Sequence, residues 1–94
     1  MNEKPEILKP GAKFVMIEDI KGNPQTLYYI HDWSQDGYRW NKDHHEWTQV
    51  EFEIAARVLK KLYFGEFEYE SIKKATAERL FPGSTDSLPK LRDE

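Results

Sequence analysis

Two apolar runs, Lys13-Phe-Val-Met-Ile-Glu-Asp-Ile20 and Gln25 to His31, constrain this chain more than anything else in it. Both are rich in the β-branched and aromatic residues that suit a pleated surface. Between them, Lys21-Gly22-Asn23-Pro24 reads as a turn, because Gly and Asn accept positive φ and Pro24 has no amide with which to continue a ladder. A two-residue loop at Gly22-Asn23 sets Val15 opposite Ile30 and Ile17 opposite Tyr28 on one face. It sets Phe14 opposite His31 and Met16 opposite Tyr29 on the other. Both faces of the hairpin are apolar, so one helix on one side cannot shield it from water.

The chain has 94 residues, enough for one domain with a thin core. It contains no Cys, which removes disulfides and thiolate metal sites and fits a reducing cytoplasm. No run approaches the ~20 apolar residues of a membrane span. The N-terminal residues mix charge and proline and do not resemble a signal peptide. Net charge is −3, with no basic patch, which disfavours duplex nucleic acid as a partner. Aromatic residues make up 14% of the chain against 38% hydrophobic overall, so much of its burial capacity lies in rings.

Further along, Asp36-Gly37 marks a turn. Tyr38 to Asn41 and His45 to Trp47 read as a short second hairpin with Tyr38 beside Trp47 and Trp40 beside His45. Thr48-Gln-Val-Glu51 matches a capping box, predicting a helix from Gln49 to about Phe64 that ends at Gly65. Its apolar residues, from Phe52 to Tyr63, spread over roughly 200° of arc, wide enough for two contact surfaces. A second helix is expected from about Glu68 to Leu80, stopped by Phe81-Pro82-Gly83. The expected architecture is α+β: an antiparallel sheet of three to four strands followed by two α-helices packed on it. Residues 1–12 read as a flexible lead, 13–81 as the domain and 82–94 as a flexible tail.

His31-Asp32, Asp36 and Asp43-His44-His45-Glu46 are the residue types of a zinc or two-metal hydrolytic site. The spacing argues against one: adjacent His44 and His45 point to opposite sides of a strand, and no helical HExxH pair exists. No Ser sits on a nucleophile elbow. Neither catalytic nor metal residues are therefore assigned, and no cofactor is expected. Asp36-Gly-Tyr-Arg-Trp40 resembles the start of the DNA-reading strand of WRKY transcription factors, but the likeness stops at Asn41 and the family's two zinc-binding Cys are missing. Tyr28-Tyr29-Ile30-His31 with a later Trp is similar to the second half of a WW domain that lacks its leading Trp and closing Pro.

The aromatic residues between Tyr28 and Trp47, with Arg39, are the types enriched at binding hot spots. Tyr29, Trp33, Tyr38, Arg39 and Trp40 are the candidate contact residues, Trp33 being the one expected to be most exposed and Trp40 next. The expected function is a non-catalytic protein–protein interaction module, binding a protein partner, a second copy of itself, or both, through an aromatic sheet surface. In size, acidity and element order the chain resembles the small inhibitors and adaptors that phages and prophages encode, some anti-CRISPR proteins among them. The resemblance would have an acidic face, with Glu66, Glu68 and Glu70, occupy a basic site on a target. The alternatives are single-stranded nucleic-acid binding by Trp33, Trp40 and Arg39 with Lys42, and a metal-dependent hydrolase built on His31, His44 and His45.

Overall fold

The two apolar runs lie at the middle of a five-stranded antiparallel sheet with strand order β4-β3-β2-β1-β5. The computed structural model describes residues 11–91, and its elements run β1 (Ala12–Glu18), β2 (Pro24–His31), β3 (Gly37–Asn41), β4 (Glu46–Val50), α1 (Phe52–Tyr63), β5 (Tyr69–Ile72) and α2 (Lys74–Leu80). The α+β class holds. The sheet has one strand more than the upper expectation, and the two helices cover opposite faces.

The β1–β2 hairpin pairs Phe14 with Tyr29, Val15 with Tyr28 and Met16 with Leu27, two residues away from the expected register. The turn is longer than a two-residue loop. The Asp19 carboxylate accepts the amides of Lys21 and Asn23, each at 2.9 Å, Gly22 sits at φ +87°, and the ladder bulges between Ile17 and Glu18. The Asn23 amide is the main cause of an Asp19 carboxyl held below its usual range. Side chains alternate with period two, so a shift of two residues leaves each on its expected face. The β3–β4 hairpin shifts likewise: Trp40 pairs with Trp47 and Tyr38 with Gln49. Its turn is shaped by Asn41, whose side-chain oxygen accepts the amides of Asp43 and His44, and by His45 at φ +52°.

One face carries Val15, Tyr28 and Ile30 and is covered by Ala55, Val58 and Leu59 of α1. Gly37 marks where the helix passes closest: a Cβ there would lie 3.0 Å from Ile30 Cγ1 and 3.3 Å from Ala55 Cβ. The other face carries Phe14, Met16, Leu27, Tyr29 and Trp40 and packs against Ala77, Phe81 and Leu91. Residues 82–91, expected to be part of a mobile tail, form a strap over this second core. Ser84 and Leu91 are buried, and the Trp47 indole donates to the Ser84 carbonyl at 2.9 Å. The strap has its anchors, Leu88 and Leu91, only at its far end, after a polar run from Gly83 to Ser87, which is why composition concealed it. Residues 1–10 and 92–94, the rest of the expected lead and tail, lie outside the described residues.

Both helix expectations need correcting. Thr48, Gln49 and Val50 belong to β4 and α1 starts at Phe52 behind Glu51, with no side-chain cap, so the Thr48–Glu51 pattern is not a capping box. The expected C-terminus is present: Gly65 stands at φ +77° just beyond α1. Tyr69 to Ile72, expected as the first turn of the second helix, is an edge strand on β1. A run of four residues with apolar ends fits either period, and the free edge of β1 settles it.

Candidate contact surface

The expected contact residues do not converge. Tyr29 and Trp40 are buried in the second core, at 3% and 7% exposure, because α2 and the strap close over their face. Their rings join a cluster in which Trp47 lies 5.9 Å from Tyr29 and 5.2 Å from Trp40. Tyr38 is half-buried against that core. Arg39 is exposed and points to the opposite side, in register with Tyr28 and Thr48. Trp33 alone matches its expectation of exposure, at 72%, with its ring edge-on to His31. The aromatic sheet surface is therefore interior, and Trp33, Trp40 and Arg39 do not share one exposed face.

The histidines are also apart. His31 is buried at the end of β2, where its Nδ1 accepts the amides of Trp33 and Ser34 at 3.2 and 3.3 Å. His45 lies against Trp40 at the far turn, and His44 is exposed beside it. Among the described residues no three His, Cys, Asp or Glu side chains gather in a way that would hold a metal ion. A groove of about 440 Å³ runs between the β3–β4 turn and the strap, walled by Trp40, Trp47, His45, Gly83 and Leu88. It is open to solvent, so it offers little of the water exclusion that strengthens electrostatics in an active site.

The exposed large apolar residues lie elsewhere. Phe52 and Tyr63, at the two ends of α1, remain in water, as do Phe64, Phe67 and Ile20. Three of these fall within five residues of chain, where α1 turns back to the sheet edge. That turn is a Schellman motif. Glu66 donates its amide to the Lys61 carbonyl at 2.9 Å and Gly65 to Leu62 at 3.1 Å, after which Tyr69 donates to Glu66 at 3.1 Å. Phe64 and Phe67 are thus displayed on hydrogen-bonded backbone. The Lys60 ammonium lies 5.9 Å from the Phe64 ring centre.

Tyr63 is fixed in a polar knot. Its hydroxyl donates to Asp32 at 2.6 Å and accepts from Lys13, whose ammonium also pairs with Asp32 at 3.2 Å. Burial opposes the charge on Lys13, but the Tyr63 hydroxyl and the Asp32 carboxylate outweigh it and raise its pKa. The knot ties the end of α1 to the loop bearing Trp33. At the other end, Glu18 donates its amide to the Glu68 carbonyl at 2.9 Å, bringing Phe67 up to the β1–β2 turn where Ile20 stands. Phe67 thus stands by the flank on which β5 is the outermost strand, while Phe52 lies beside Gln49 and Val50 of β4.

Sequence reasoning named Tyr63 as part of the helix arc but missed Phe64 and Phe67. The available signal was Phe67 standing between Glu66 and Glu68 just past a helix-ending glycine, a place where an apolar side chain has no helix face to join. Glu66, Glu68 and Glu70 do not open a helix, since Glu70 lies in β5. No helix among the described residues is long and apolar enough to cross a membrane. Compared with protein-family models, curated proteins and solved structures, the chain has no significant match.

Proposed function

We propose that this chain is a non-catalytic contact module for protein, and that it binds through the flank beside β5. The observation that carries the reading is the exposure of Phe64 and Phe67, at 75% and 88%, on a turn whose backbone is hydrogen-bonded in place. Exposed apolar surface beyond singly scattered side chains marks interaction sites, and Phe64 and Phe67 stand three residues apart on one turn. Both sheet faces are already covered, so these rings are surplus to the fold's own core. Aromatic anchors of this kind give up little side-chain entropy on binding. Glu66 and Glu68 flank Phe67 in the chain, and they would select a partner with basic groups at the rim.

A photo-reactive amino acid placed at Phe67 in the producing cells tests this. We expect a discrete covalent adduct of higher mass from position 67 and none from a control at Asp43, in the exposed turn at the far hairpin. Equal, diffuse labelling from both positions, or none from 67, would sink the reading.

A further inference from the structure

We infer that the partner on this flank is a second copy of the chain, joined edge to edge through β5. The inference rests on the contact-module reading and gives that module's partner. The pairing of β5 with β1 fixes which backbone groups point outward. Glu18 bonds to Glu68, and Met16 and Phe14 stand opposite Glu70 and Ile72, so these even-numbered residues of β5 turn their amides and carbonyls towards β1. Tyr69, Ser71 and Lys73 turn theirs away. The Tyr69 amide is used by Glu66 and the Lys73 carbonyl by Ala77 of α2. The Tyr69 carbonyl, both groups of Ser71 and the Lys73 amide remain on the outer edge, which no other strand among the described residues covers.

This set is self-complementary. A two-fold axis normal to the sheet through Ser71 lets Ser71 exchange amide-to-carbonyl bonds with Ser71 of the second copy. The same rotation aims the Lys73 amide at the Tyr69 carbonyl of the second copy, and the reverse. Centring the axis on Glu70 fails, because its backbone groups already face β1 and two carboxylates would be opposed. The Ser71 register instead brings Glu68 of each copy to the start of the other's α2, where Lys74 stands, a meeting of unlike charges. It also carries Phe67 towards the start of the second copy's α2. Exposed edges invite pairing of this kind unless they are blunted; β5 is only four residues long and bears Glu70, but it carries no proline or bulge.

Sedimentation velocity of the whole chain over a hundred-fold concentration range, with a Phe67 photo-crosslink alongside, decides the matter. We expect reversible dimers. Ser71→Pro removes the outward amide and should leave only monomer. Lys74→Glu should weaken the dimer about 10-fold or more at low salt, and the double change Glu68→Lys with Lys74→Glu should restore it. If Ser71→Pro disturbs the fold, the charge reversal and its rescue still test the register. Monomer at every concentration overturns the inference, as does a dimer indifferent to all three variants. A monomer that crosslinks from position 67 to a foreign protein overturns the dimer and leaves the contact reading intact. A monomer with no adduct overturns both.

Discussion

Gly37 shows how much of this fold turns on single atoms. Its backbone needs no unusual φ, so the requirement for glycine comes from space alone: α1 crosses the sheet here with Ala55 almost touching the strand. Gly37→Ala forces either the helix or Ile30 to give way, and overpacking of this kind costs about 1–3 kcal/mol. Urea unfolding should show that loss with an unchanged slope, and a variant as stable as the parent would mean that the helix yields freely. The sequence marked Gly37 only as a turn residue. The closeness of the helix was not readable, because it depends on where a segment fifteen or more residues later comes to rest. Trp33 was readable at this scale, since a ring in a polar loop has few places to hide. Tyr29 and Trp40 were not, because their concealment comes from the strap.

At the level of elements, the strands β1 to β4 and the body of α1 were legible from alternation and turn chemistry, and their faces came out right although their registers did not. Register depends on loop geometry that Asp19 and Asn41 set through side-chain hydrogen bonds. Face depends only on parity, which an even shift preserves. β5 was misread because Tyr69 and Ile72 satisfy helical spacing as well as the ends of a short strand. α2, shorter than expected, has one role the sequence did not suggest. Its Glu78 accepts the Gly83 amide at 2.8 Å and both the hydroxyl and the amide of Thr85, at 2.7 and 3.1 Å, and so holds the start of the strap. These bonds, the Gly83 amide first, lower the carboxyl's pKa in the folded state. A lowered folded value means that the stabilisation is complete above the unfolded glutamate pKa of about 4.3. It fades as pH falls through the folded value. Glu78→Gln should therefore lower the melting temperature most near neutrality, with the difference from the parent shrinking as the solution is acidified. A gap that stayed constant with pH would show that the charge is not what holds the strap.

The whole molecule is a sheet between two unlike covers, one a helix of three turns and the other a short helix continued by an irregular strap. Leu91, at 2% exposure, is the far anchor of that strap. Leu91→Ala leaves a cavity in the core it shares with Phe14 and Tyr29, and a buried leucine truncated in this way costs about 2–5 kcal/mol. For a domain this small that is a large share of total stability. Thermal unfolding should fall accordingly, with increased binding of a hydrophobic dye, while unchanged stability would place Leu91 outside the core. The strap also sets a timetable for the chain's birth. Domains begin to fold as they leave the ribosome, N-terminal part first, yet here one oily side of the earliest hairpin waits for a lid encoded some sixty residues downstream of it. Until α2 and the strap have both been made, each nascent copy carries Phe14, Met16 and Leu27 without their full cover, and premature stops in the strap would yield products inviting chaperones or proteases.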